Sequence, residues 1–93
     1  MSDTPPILVV DDQEKLLKLV VMLMNRLGFP EVEGVSTAAD ALDRLRERRY
    51  ALVISDLEME PMDGIGLLRE IRADDALMNT PFILTESSFT FED

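Results

Sequence analysis

The chain has 93 residues, of which 46% are hydrophobic, and a formal net charge of −10. This length is typical of one domain, and the apolar content is that of a folded protein. The excess of acidic residues argues against a nucleic-acid partner, because phosphates are neutralised by lysine and arginine. The absence of cysteine and histidine excludes disulfides, thiolate chemistry and a histidine base. Carboxylates therefore remain as the reactive groups.

Neither export nor membrane insertion is indicated by the sequence. Residues 1–6 are polar and acidic and do not resemble a signal peptide. The longest apolar stretch, residues 16–27, is interrupted by Lys18, Asn25 and Arg26 and is too short to span a bilayer. We therefore expect a cytoplasmic protein without a membrane partner.

The first half of the chain alternates predicted strands with predicted helices. Residues 7–10 form an apolar run that predicts a buried strand. Asp12 is expected to cap a first helix that ends near Gly28. The predicted buried stripe of this helix is Leu16, Leu19, Val20, Leu23, Met24 and Leu27. Residues 31–35 alternate acidic and apolar side chains, which is typical of a strand near the edge of a sheet.

The second half continues this alternation. Ser36 or Thr37 is expected to cap a second helix, whose predicted buried stripe is Ala38, Ala41, Leu42 and Leu45. Residues 51–55 predict a third strand and residues 81–84 a fourth. Gly64 begins a third helix, with the predicted stripe Leu67, Leu68 and Ile71. Strands that alternate with helices predict an α/β fold, a doubly wound parallel sheet with helices on both faces.

Three aspartates follow the ends of two predicted strands. Asp11 and Asp12 come after the first strand, and Asp56 comes after the third. Open α/β sheets bind ligands in the crevice at the carboxyl ends of their strands. Like charges this close raise one another's pKa unless a cation compensates, and carboxylate oxygens suit Mg²⁺ or Mn²⁺. Such a metal would neutralise a phosphoryl group, and an aspartate can itself attack phosphorus.

Three segments together resemble the receiver domain of two-component response regulators, including the chemotaxis regulators. These segments are Leu8-Val9-Val10-Asp11-Asp12, Asp56-Leu57-Glu58-Met59 and Met62-Asp63-Gly64. The resemblance covers about residues 6–85, the core of a single receiver domain that spans residues 1–93, with residues 86–93 as a tail. It implies a flavodoxin-like fold with four strands and three helices present, lacking the family's last strand and last two helices.

The resemblance also implies roles for individual residues. Asp56 is expected to be the phosphoacceptor, taking its phosphoryl group from a sensor histidine kinase or a phosphotransfer protein. Asp12 is expected to bind Mg²⁺ directly, Asp11 largely through water, and Glu58 through its backbone carbonyl. The domain is not expected to be an enzyme beyond self-catalysed phosphorylation and dephosphorylation of the aspartate.

Departures from the family pattern leave alternatives open. Thr85 is the candidate switch hydroxyl, but an ungapped count puts Glu86 at that position. The lysine that ends the family's fifth strand has no counterpart, because Lys15 and Lys18, in the first predicted helix, are the only lysines. The alternative function is a degenerate receiver-like module that binds or dimerises without phosphorylation. An acid-phosphatase-like enzyme with Glu58 as general acid is a third hypothesis, which the surrounding residues favour least.

The sequence further predicts a homodimer or an exchanged assembly. A sheet that ends at the fourth strand would expose an unprotected edge and leave an apolar face uncovered, both of which favour self-association. Phe89 and Phe91 alternate with polar residues in the tail. We expect the edge of the fourth strand and this tail to form the dimer interface.

Overall fold

The computed structural model describes residues 4–29 and 31–86, in which strands and helices alternate. The elements are β1 Ile7–Val10, α1 Glu14–Arg26, β2 Val32–Val35, α2 Ala38–Glu47, β3 Leu52–Asp56, α3 Gly64–Ala73 and β4 Phe82–Thr85. The strands form one parallel sheet in the order β2-β1-β3-β4. This confirms the predicted α/β fold and the edge position of β2.

Helices cover both faces of the sheet. On one face, α2 and α3 pack on the larger core, in which Leu67 and Ile71 are 0% exposed. On the other face, α1 packs through Leu17 on Ile7 and Val9 of β1. The predicted stripe of α2 is confirmed, since its four residues are all buried: Ala38, Ala41, Leu42 and Leu45. The sheet is therefore doubly wound, as its connections require.

The predicted buried stripe of α1 is wrong in part. Leu17, which the prediction left out, is buried, and the partly buried residues of α1 that pack in its cluster are Val20, Val21 and Met24. Leu19, Leu23 and Leu27 are instead 45%, 47% and 77% exposed. A helix with apolar residues on most of its circumference has no single hydrophobic period. Because α1 packs on β1 and β2, the buried face lies one residue further round the helix.

Helix α2 is capped as predicted, whereas the start of α1 differs. The Thr37 side chain accepts a hydrogen bond at 3.0 Å from the backbone N–H three residues later. The prediction that Asp12 caps α1 is wrong, because Gln13 occupies the N-cap position and makes no side-chain cap bond. Asp11 Oδ1 accepts a hydrogen bond from Gln13 N–H at 2.9 Å. This turn delays the helix by one residue and leaves Asp12 in the loop.

Strands β3 and β4 each begin and end one residue later than predicted. The reason is their parallel pairing, which extends to the last residue of each strand, so that Asp56 is in register with Thr85. The first strand has the predicted bounds, Ile7–Val10. Gly28 follows α1 with a φ of 101°, the left-handed conformation expected of a glycine after a helix.

A polar network joins β2 to α2. Glu33 accepts hydrogen bonds from Arg44 at 3.0 Å and from Arg48 at 2.8 Å. The hydroxyl of Tyr50, a residue that is only 4% exposed, also donates to Glu33. Burial raises the pKa of Tyr50, and the hydrogen bond to Glu33 raises it further. The phenol therefore stays protonated and keeps donating to Glu33 at neutral pH.

Two predictions concern surfaces of the chain. Among residues 4–29 and 31–86, no helix has the length and the apolar content needed to cross a membrane. The predicted dimer contacts of Phe89 and Phe91 lie outside the described residues. The other predicted contact surface, the edge of β4, carries Ile83 and Leu84, which are 48% and 38% exposed.

Candidate functional site

Asp11, Asp12 and Asp56 meet at the carboxyl edge of the sheet. Strands β1 and β3 are neighbours, and Val10 is in register with Ser55, so the residues that follow lie side by side. The carboxylate oxygens that the three aspartates offer lie within 4.8 Å of one another. The convergence that the sequence predicted for these three side chains is therefore present in the structure.

The three aspartates differ in their surroundings. Asp11 and Asp56 are 6% and 1% exposed, whereas Asp12 is exposed. Burial raises the pKa of Asp11, the hydrogen bond from Gln13 N–H opposes this rise, and the charges of Asp56 and Asp12 add to it. A hard divalent cation would relieve this repulsion, and it binds carboxylate oxygens while keeping some of its waters. The residues present therefore fit Mg²⁺ or Mn²⁺.

The turn after Asp56 brings the start of α3 against the site. Leu57 N–H donates to Thr85 O at 2.7 Å, and Gly64 N–H donates to Leu57 O at 2.9 Å. A Cβ at Gly64 would lie 2.4 Å from the carbonyl oxygen of Asp56, so this approach requires glycine. The hydroxyl of Ser55, which is 0% exposed, donates to the same oxygen at 3.0 Å. The backbone of Asp56 is thus held from two sides.

Sequence reasoning missed Ser55 and Gly64 as residues that position Asp56. The available signal for Ser55 is a hydroxyl side chain inside an apolar strand, directly before the aspartate. The close approach at Gly64 has no comparable signal, because it depends on where the turn returns in space and on Leu84 of β4. A Cβ at Gly64 would lie 2.7 Å from Leu84 Cδ1.

Thr85 and Glu86 follow one another at the end of β4. Thr85 is in register with Asp56, which places its backbone beside the aspartates. Its hydroxyl donates to Ser55 O at 3.3 Å. Glu86 lies just past the strand and is exposed. The candidate switch hydroxyl of Thr85 is therefore directed at a carbonyl of the neighbouring strand.

An acidic cleft of about 700 Å³ lies beside the aspartates. Asp12 lines this cleft together with Glu58, Glu60 and Asp63. Its lining contains no lysine or arginine within the described part of the chain, and both lysines lie on α1. Several carboxylates around one cleft attract cations and oppose an incoming anion unless a metal compensates.

Comparison with known proteins gives consistent matches. Residues 7–90 match the family described as the response regulator receiver domain. The chemotaxis protein CheY-3 of Vibrio cholerae is 35% identical over 78 residues, which cover 84% of this chain and 60% of that protein. This chain thus spans less than two thirds of the length of that relative.

Solved structures of receiver proteins have the same fold. A response regulator receiver protein from Pseudomonas putida has a TM-score of 0.83 at 29% identity, covering 92% of this chain and 70% of that one. The N-terminal domain of a response regulator receiver protein from Methanoculleus marisnigri has a TM-score of 0.81 at 31% identity, covering 86% and 64%.

Proposed function

The chain belongs to the response regulator receiver domain family, and we propose that it is a Mg²⁺-dependent phosphoacceptor of a two-component system. The phosphoryl donor is a sensor histidine kinase or a phosphotransfer protein, and the acceptor is Asp56. The observation that carries this proposal is the cluster of Asp11, Asp12 and Asp56, whose carboxylate oxygens lie within 4.8 Å of one another. A cytoplasmic location, together with the donor, is part of the same proposal.

Asp56 is the nucleophile in this proposal. One of its carboxylate oxygens attacks the phosphorus of a phosphorylated histidine, and an acyl phosphate forms. The P–N bond breaks, and the imidazole nitrogen leaves with the electron pair and takes up a proton. Ser55 fixes the attacking residue, because its hydroxyl donates to the Asp56 carbonyl oxygen at 3.0 Å. A nucleophile held in place loses little freedom on reaching the reactive geometry.

Asp11, Asp12 and Asp56 would hold the metal, with the backbone carbonyl of Glu58 as a further ligand. Mg²⁺ bound there neutralises negative charge on the phosphoryl oxygens. Asp12 is the exposed member of the cluster and also lines the acidic cleft. Mn²⁺ would use the same oxygens.

Thr85 is the proposed switch between the unphosphorylated and the phosphorylated state of the domain. Its hydrogen bond to Ser55 O is 3.3 Å long, beyond the usual O–H···O distance of about 2.7–2.8 Å. A phosphoryl oxygen is a charged and stronger acceptor than a carbonyl. On phosphorylation, the hydroxyl would exchange Ser55 O for the phosphoryl group at Asp56. Because Thr85 ends the edge strand β4, this exchange changes a surface that a partner or a second copy can contact.

The proposed homodimer uses the edge of β4. Ile83 and Leu84 are 48% and 38% exposed, and successive residues of a strand point to opposite faces. Pairing of two such edges would satisfy the backbone groups that do not face β3 and would give each side chain a cross-strand neighbour to pack against. Analytical ultracentrifugation tests the proposal, and a monomer at all concentrations up to the high micromolar range would refute it.

The competing function is a receiver-like interaction module that is never phosphorylated. The acidic lining of the cleft, without a lysine or arginine in the described residues, favours this alternative. An anionic phosphoryl group at Asp56 would be repelled by Glu58, Glu60 and Asp63, and the described lining of the cleft offers no cationic side chain to offset them. Phosphorylation and metal binding must therefore be measured separately.

Amide NMR of the full chain separates the two functions. Mg²⁺ is added first, and beryllofluoride, a phosphoryl mimic, is added second. A phosphoacceptor should show Mg²⁺ shifts at Asp11 and Asp12, followed by beryllofluoride shifts at Asp56 and Thr85. Substoichiometric Mn²⁺ should broaden the same aspartate signals and so locate the metal.

The matched control is Asp56→Asn, which preserves shape and removes the nucleophile. Incubation with acetyl phosphate and Mg²⁺ should add the mass of one phosphoryl group to the wild type and none to this variant. Mg²⁺ binding without a beryllofluoride response or a mass gain would favour the interaction module. The absence of Mg²⁺ binding would refute the proposed site itself.

A further inference from the structure

A second groove lies between α1 and the edge strand β2. Its volume is about 630 Å³, and Leu17, Val21 and Met22 form its apolar part. None of its lining residues belongs to the aspartate cluster or to the acidic cleft. The family-level function proposed above makes no use of this groove.

Leu17 and Val21 of α1 pack closely over Gly34 of β2, which has no Cβ to hold them away. A Cβ at Gly34 would lie 3.0 Å from Leu17 Cδ1 and 3.2 Å from Val21 Cγ2. In the described part of the chain β2 pairs with β1 alone, so its outer N–H and C=O groups face away from the sheet. An apolar floor next to a strand edge is the arrangement to which an extended peptide can add as a further strand.

Two cations on α1 also line the groove. Lys18 and Arg26 form no ion pair with the described residues, in contrast to Arg44 and Arg48, which both pair with Glu33. Lys18 and Arg26 are eight residues apart, or about 12 Å along the helix. The four residues of β2 extend about 13 Å. The distance between the two cations along α1 is therefore close to the length of β2, and so to the length of a strand that pairs with β2.

We propose that this groove binds an extended acidic peptide segment of a partner protein. The segment adds as a strand to the free edge of β2, and its central apolar side chains contact Leu17, Val21 and Met22. Acidic residues at its two ends pair with Lys18 and Arg26. Lys18 and Arg26, which form no ion pair within residues 4–29 and 31–86, favour an acidic segment over a basic one at this groove, against the net charge of −10 of the whole chain. A small amphiphilic anion would leave the backbone groups of β2 unused.

A synthetic peptide titrated into the isotopically labelled full chain tests the proposal by amide NMR. The probe has five alternating valine and threonine residues, flanked on each side by two glutamates. Saturable shifts are expected in β2 and along the groove face of α1, without Mg²⁺ and without phosphorylation. The control peptide has lysines in place of the glutamates and should bind at least about tenfold more weakly.

Charge reversal on the protein provides the matched pair of variants. Lys18→Glu with Arg26→Glu should weaken binding of the acidic probe by at least about tenfold. Lys15→Glu with Arg69→Glu changes the net charge equally outside the groove and should leave the affinity unchanged. Gly34→Val should prevent binding by pushing Leu17 and Val21 away from β2, and circular dichroism checks that this variant is folded. The surface variants keep the proposal testable even if Gly34→Val unfolds.

Several results would overturn the proposal. One is an equal affinity for the acidic and the lysine-flanked peptides. A second is the same loss of binding in the groove variant and in the Lys15 and Arg69 variant. A third is a set of peptide-induced shifts at β4 or at Asp56 instead of β2. A fourth is a response of the groove to decanoate but not to the peptide, which would identify a site for small amphiphilic anions.

Discussion

Replacement of Gly64 by alanine should destabilise the protein and weaken metal binding together. Gly64 begins α3, and a Cβ there would lie 2.4 Å from Asp56 O and 2.7 Å from Leu84 Cδ1. Carbon and oxygen need a separation of roughly 3.2 Å or more, so the helix start and the carbonyl must move apart by about 0.8 Å. This oxygen is the backbone carbonyl of Asp56, whose side chain is the proposed nucleophile. The same movement therefore disturbs the aspartate cluster.

The size of the effect follows from two opposing contributions. Forcing extra atoms into a packed site costs about 1–3 kcal/mol. Loss of glycine's freedom in the unfolded chain offsets about 0.4–1 kcal/mol of this. We expect a net loss of about 1–2 kcal/mol in the free energy of unfolding. For a domain of this size, each kcal/mol lowers the melting temperature by about 4–8 °C. Urea unfolding followed by circular dichroism measures the loss, and calorimetric Mg²⁺ titration measures the weaker metal binding.

Gly66→Ala is the matched control in the same helical turn. A Cβ at Gly66 would lie 2.8 Å from Met62 Cγ, a flexible side chain, and 3.4 Å from Asp63 Oδ1. The methionine can move aside, so stability should change by less than about 0.5 kcal/mol and Mg²⁺ affinity should be retained. If Gly64→Ala matches Gly66→Ala in both stability and Mg²⁺ affinity, the close approach to Asp56 has no energetic importance.

Three further predictions concern a helix cap, the acidic cluster and the sheet edge. Asp63→Ala removes the side chain that accepts a hydrogen bond from Gly66 N–H at 2.8 Å, and urea unfolding should show a loss of about 1 kcal/mol. Asp11→Asn should raise the metal-free stability relative to the wild type increasingly as the pH rises from about 4, the usual aspartate pKa, to the raised pKa of Asp11 in the folded state. The pKa of Asp11 is raised in the folded state, so its ionisation disfavours the fold. Ile83→Lys should abolish any self-association seen by sedimentation, because it charges the edge of β4.

Each of these predictions can fail in a defined way. An unchanged urea midpoint for Asp63→Ala would mean that solvent replaces the cap. A constant stability difference between Asp11→Asn and the wild type over this pH range would contradict the raised pKa of Asp11. A dimer that survives Ile83→Lys would place the interface elsewhere on the chain.

The sequence was sufficient to predict the order of the strands and helices along the chain and the parallel orientation of the strands. Short apolar runs separated by amphipathic helices allow few arrangements, and those arrangements are parallel. The buried face of α1 could not be predicted in the same way, because apolar residues occupy most of its circumference. Packing on β1 and β2 selects Leu17 over Leu19 and Leu23. Tertiary contact thus decides where local periodicity is ambiguous.

The convergence of the three aspartates was also predictable, whereas the contacts that hold Asp56 in position were not. Asp11 follows β1 and Asp56 ends β3, and the alternation places both strands in one sheet, so their proximity requires only that those strands are neighbours. The hydrogen bond from Ser55 to the Asp56 carbonyl is local but needs the right side-chain rotamer, and the close approach of Gly64 to that carbonyl depends on the return path of the turn. Thr85 illustrates the same limit, since its pairing with Asp56 is set by the register of β4. One residue of register decides which side chain reaches the site.

Tyr50 is an intrinsic fluorescent probe of the contact between β2 and the end of α2. It is the only tyrosine of a chain that has no tryptophan, and its hydroxyl donates to Glu33. The guanidinium of Arg48 lies 5.7 Å from the centre of its ring. Its intrinsic fluorescence therefore depends on this one junction, whereas far-ultraviolet circular dichroism averages over all three helices. Coincident unfolding curves from the two signals would show that this four-stranded domain unfolds as a single cooperative unit.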